Sequence, residues 1–62
     1  MKEILICGTI IASKEAAERL VNRIYRRFDG SMEASVAIGD NEDKLVKSGL
    51  ITWAEVEAAE LA

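Results

Sequence analysis

A single cysteine, Cys7, and a complete lack of histidine in a chain of 62 residues constrain the fold more than any local pattern does. A domain near this size buries only about 60% of the surface its unfolded chain exposes, so its stability is marginal. Chains this short usually carry a staple: disulfides, a metal, or association with another copy. One cysteine forbids an intramolecular disulfide, and without histidine there is no Cys/His cluster for a structural zinc. Association is the staple that remains, and it predicts a homodimer or a higher homo-oligomer.

Half of the residues are hydrophobic and 31% are charged, which suits one folded domain rather than a disordered tail. No run approaches the roughly 20 apolar residues that span a bilayer. Ile4 to Ala12 is apolar, but Lys2 and Glu3 precede it and a charged segment follows. A signal peptide would want a longer basic-then-apolar lead, so the expected location is the cytoplasm, with no membrane partner. The net charge of −3 is unevenly spread: residues 1–30 carry +2 and residues 31–62 carry −5. The acidic half argues against a nucleic-acid binder as a whole and leaves room for a local basic face.

Ile4, Leu5, Ile6, Ile10 and Ile11 predict a strand within Met1 to Ala12, buried on both faces. Gly8-Thr9 allows two versions of it. The preferred one is a single strand through about Gly8 and then an apolar connector. The other is a tiny hairpin of Leu5–Cys7 and Ile10–Ala12. Ser13 then serves as N-cap to the clearest helix, Lys14 to Phe28, with Ala17, Leu20, Val21, Ile24 and Phe28 at helical spacing and Gly30 as the stop. Met32, Ala34, Val36 and Ile38 alternate with Glu33, Ser35 and Ala37, predicting a second strand. Gly39-Asp40-Asn41 ends it, a short helix covers residues 41–48, and Gly49 stops that helix. Thr52-Trp53-Ala54-Glu55 is a capping box opening a third helix, from Trp53 to about Glu60, with Ile51 and Val56 as its hydrophobic staple.

The expected fold class is therefore small α/β. A β-α-β unit with parallel strands and a right-handed crossover occupies residues 1–39, and a helical hairpin occupies residues 40–62, all within one domain. Two parallel strands cannot bury a strand that is apolar on both sides, so the sheet is expected to be extended by homodimerisation.

Four arginines on the first helix, Arg19, Arg23, Arg26 and Arg27, together with Trp53, are the candidate partner-binding residues. Such a stripe suits phosphates, an acidic protein or the acidic half of a neighbouring copy. The plainer reading is a solvated face, helped by a Glu15–Arg19 pair at i,i+4. Trp53, the only tryptophan, reads first as core packing, with an exposed interface anchor as its rival. Cys7 in an apolar strand reads as a buried, inert thiol, having no histidine to activate it. Glu42, Asp43, Glu55, Glu57 and Glu60 read as solvated helix surface rather than a metal site or an acid/base pair. Gly8 to Glu15 lies where phosphate loops occur, but Ile10-Ile11 is too apolar for an open loop and no glycine precedes Ser13-Lys14 as a Walker loop requires. No catalytic residues, metal or cofactor are expected.

Two resemblances add to this reading. Leu45-Val46-Lys47-Ser48-Gly49-Leu50-Ile51-Thr52, followed by Glu55-Val56, resembles the helical-hairpin motif of the XkdX family of small phage proteins and similar short C-terminal domains. It covers about a quarter of the chain and implies a phage or prophage accessory protein acting through contacts. The β-α-β order resembles the small tautomerases similar to 4-oxalocrotonate tautomerase, which associate through their sheets. Those enzymes use an amino-terminal proline as base, whereas this sequence contains no proline, so that resemblance supports oligomerisation and argues against the activity. The sequence thus reads as a non-enzymatic protein-binding module, an accessory or inhibitory protein acting by steric contact as a homo-oligomer. The alternative is a nucleic-acid-binding regulator using the arginine stripe.

Overall fold

In the computed structural model, which describes residues 3–62, Cys7 and Gly8 both have positive φ, 51° and 79°. Two successive left-handed residues mark a type I′ turn, whose twist suits a two-residue β-hairpin. β1 (Ile4–Ile6) and β2 (Thr9–Ile11) pair antiparallel across it, with Ile4 opposite Ile11, Leu5 opposite Ile10 and Ile6 opposite Thr9. The apolar run is therefore a hairpin rather than one strand, and its turn is Cys7-Gly8 rather than Gly8-Thr9. It is also buried on one face only: Ile6 and Ile11 enter the core, while Leu5 and Ile10 on the other face are each 65% exposed. The part of the expected strand at Met1 and Lys2 lies outside the described residues.

α1 (Lys14–Arg26) begins where its capping chemistry says it should. The Ser13 hydroxyl accepts from the Ala16 amide at 3.1 Å, satisfying one of the donors a helix start leaves unpaired. Ala17, Leu20 and Val21 are buried along one stripe. The helix stops at Arg26, short of Phe28, which is exposed and faces Tyr25 with ring centroids 6.4 Å apart. Asp29 then accepts from the Ser31 amide at 2.8 Å, and Gly30 takes φ +83°.

The expected second strand is not there. Met32 to Ile38 forms the first half of α2 (Met32–Lys47), so the chain contains no β-α-β unit, no parallel pair and no crossover among its described residues. The reason lies on both sides of the segment. Ser31 caps it as a helix, its hydroxyl accepting from the Ala34 amide at 3.1 Å. Its burial period is also helical: Ala34 is half-buried and Ile38, Glu42 and Leu45 are buried, four, four and three residues apart. Gly39 is carried inside the helix at a cost of about 1 kcal/mol, and the packing of Leu45 beyond it outweighs that cost. The architecture remains small α/β, in the order β-β-α-α-α.

α2 gives way to α3 (Trp53–Leu61) through Gly49 at φ +84°. The capping box forms as its sequence predicts. The Glu55 amide donates to the Thr52 hydroxyl at 3.2 Å, and the Thr52 amide donates to the Glu55 carboxylate at 2.9 Å. Ile51 and Val56 are both buried, as a staple requires. The core joins Ile6 and Ile11 from the hairpin, Ala17, Leu20 and Val21 from α1, Leu45 from α2, and Ile51, Val56 and Ala59 from the α3 region.

A β-carbon in the left-handed region is strained, so the turn residue Cys7 is suboptimal. Cys7→Asn creates the Asn-Gly pair that type I′ turns prefer, and it is expected to stabilise the protein by about 0.5–1 kcal/mol. A higher urea midpoint at unchanged slope is the measurement that checks this.

Candidate functional site

Helical geometry places Arg19, Arg23 and Arg26 on one side of α1, since residues separated by four and three share a face. Together with Asn22 they form one wall of an open groove of about 780 Å³. The opposite wall is α3, which presents only Ala58, Ala59 and Ala62 there, so short side chains leave room beside the arginines. Glu15 and Glu18 close the end nearest the start of α1.

Two ties hold the groove open at a fixed width. Lys14 Nζ meets Glu55 Oε2 at 2.9 Å near the start of both helices. The Lys14 ammonium is the main reason the Glu55 carboxyl titrates below its usual range, with the Thr52 amide next. Further along, Asn22 Nδ2 donates to the Ala59 carbonyl at 3.0 Å and the Ala62 carbonyl at 2.9 Å, satisfying acceptors that the end of a helix leaves open. Both ties run in the same direction along the two helices, so α1 and α3 lie side by side roughly parallel.

The ion pairs among the described residues are Lys14–Glu55 and Lys47–Asp43, and none of the four arginines takes part in one. The expected Glu15–Arg19 pair does not form, and Arg19, Arg23, Arg26 and Arg27 are all exposed. The structure also divides the stripe. Arg27 faces away from the groove, towards a smaller depression of about 260 Å³ that it shares with Arg23, Cys7 and Leu20. Trp53 belongs to neither cavity. It is 47% exposed at the first position of α3, so it is not a core residue, because the first turn of α3 buries its far side through Val56 instead.

Cys7 is likewise not the buried thiol its apolar neighbours suggest. The turn carries it to the hairpin tip, where it is exposed and where Asn41 Nδ2 approaches its Sγ at 4.0 Å. Among the described residues no group of three or more metal-ligating side chains comes together, and no helix is long and apolar enough to cross a membrane.

Glu42 departs furthest from expectation. It is 8% exposed, and its Oε2 has no hydrogen-bond partner. Burial, followed by the neighbouring Glu60 carboxyl, pushes its pKa up to about 7. The signal in the sequence is its place on the stripe of Ile38 and Leu45, four residues after one and three before the other. Glu42 lines neither the groove nor the smaller depression. No family model matches the chain, and comparison with curated proteins and with solved structures gives no match either.

The native carboxyl of Glu42 keeps its proton to higher pH than its ordinary value of 4.5. The folded state therefore binds more protons between those two values, and the contribution of this group to stability is full below about 4.5 and is lost as pH rises through about 7. The fall that corresponds to this shift is on the order of 3 kcal/mol. Glu42→Gln removes the charge, raises the melting temperature at pH 8 by several degrees and flattens the pH profile. Thermal melts of both proteins from pH 5 to pH 8 read this directly.

Proposed function

We propose that the chain is a small, non-enzymatic protein-binding module whose first partner is a second copy of itself, joined through the outer face of the β1–β2 hairpin. The observation that carries this reading is the pair Leu5 and Ile10. They stand opposite each other in register, each 65% exposed, on a sheet face that no other element covers among the described residues. A two-stranded sheet is marginal alone, and both of its edges offer unpaired backbone groups. Each strand is only three residues long, so edge pairing supplies few hydrogen bonds and the apolar face supplies the drive. Covering these side chains on both copies of a symmetric pair yields roughly 5 kcal/mol. Rigid-body association costs a similar amount, so the dimer is weak and concentration-dependent.

The module acts by steric contact, as a phage or prophage accessory or inhibitory protein would. The resemblance of residues 45–56 supports that placement, although Gly49 at positive φ and the Thr52–Glu55 box also serve the α2–α3 joint directly. A second reading, a nucleic-acid-binding regulator, has the unpaired arginines of α1 in its favour and the −5 charge of residues 31–62 against it.

Sedimentation equilibrium between tens and hundreds of micromolar tests the dimer. Growth of a dimer with concentration is expected, and Ile10→Lys is expected to hold the protein monomeric with its helical circular dichroism intact. A wild-type protein that stays monomeric at millimolar concentration overturns the reading.

A further inference from the structure

We infer that the groove between α1 and α3 binds a short acidic helical segment of a partner protein. Its charged wall carries three arginines that are not engaged within the molecule. Guanidinium groups left free in this way are suited to bidentate pairing with carboxylates. At about 1.5 Å rise per residue, the arginine spacing of four and three places their Cα atoms about 6 and 4.5 Å apart along the axis. Carboxylates on a second helix at the same spacing repeat those intervals, so the two rows match when the helices lie alongside.

The opposite wall selects against other anions. Ala58, Ala59 and Ala62 offer small apolar contacts that let another backbone approach closely. No aromatic side chain lines the groove, so the aromatic platforms on which single-strand binders stack successive bases are missing there and only the arginine planes remain. Glu15 and Glu18 at one end repel a polyanion that runs through, whereas they complement a lysine or arginine in a segment of mixed charge. The occupant is therefore a peptide with a basic residue near the Glu15 and Glu18 end, then acidic residues at i, i+4 and i+7, with alanine-sized side chains turned to α3. This surface is separate from the hairpin face proposed for self-association.

The test uses the full chain and a fluorescein-labelled alanine-based peptide of that pattern, read by fluorescence anisotropy at low salt. A scrambled peptide of equal composition and a single-stranded oligonucleotide of equal charge are the comparisons. Binding of the designed peptide in the micromolar range, at least tenfold tighter than the scramble, is expected. Arg23→Glu combined with Arg26→Glu should weaken it tenfold or more. Ala58→Trp, which fills the groove without touching charge, should do the same. Arg27→Glu, outside the groove, and Ile10→Lys, on the hairpin, should leave it within twofold. Tighter binding of the oligonucleotide, equal sensitivity to Arg27→Glu, indifference to Ala58→Trp, or no binding at millimolar peptide each overturns the inference.

Discussion

The buried stripe of α1 is the contact on which the rest of the molecule depends. Ala17, Leu20 and Val21 meet the inward side chains of the hairpin, Leu45 of α2, and Val56 and Ala59 of α3 in one cluster. With a core this small, each element has one face to contribute and leaves the remainder in water. Leu5 and Ile10, Tyr25 and Phe28, and Met32 and Val36 are exposed for that reason. These exposed pairs follow from size, because surface grows relative to volume as a domain shrinks. Only the hairpin pair, however, lies on a face with open backbone edges beside it.

Local chemistry at the joints does much of the work that a larger core would do. Ser13, Ser31 and Thr52 each cap a helix with a side-chain oxygen on the amide three residues on. Asn22 extends the same logic across space by closing the end of α3 from the middle of α1. A polar residue inside an amphipathic helix is usually solvent-facing, and here it sets the separation of two helices. The arginine groove exists because that separation is held by a small amide and lined by alanines.

How far the sequence reveals this arrangement depends on the range of the interactions involved. Helix α1, the Thr52–Glu55 box and the Gly49 stop are legible because each is written within a few residues. The arginines were legible as a stripe, but their division between two cavities depends on α3, which lies more than 30 positions away in sequence. The apolar run favours one strand over a hairpin, because the hairpin's turn needs a cysteine at positive φ, which that residue type does not advertise. Residues 32–38 alternate with a period of two in sequence, yet on the helix Met32 and Val36 face water while Ala34 and Ile38 turn inward. Ser31 and the continuation to Leu45 decide for the helix. Glu42 sits on that continuation, so its burial follows only once residues 32–47 form one helix.

The first two turns of α2 therefore occupy an unusual position. Met32 and Val36 face water, Ala34 is only half-covered, and Ile38 is the first residue to enter the interior, immediately before Gly39. Few apolar contacts and a glycine behind them make this stretch the cheapest part of a helix to open, while Leu45 keeps the later turns closed. One continuous helix then contains two cooperative units. Amides of residues 35–38 are expected to exchange with solvent through a local fluctuation, and those near Leu45 through a much larger opening.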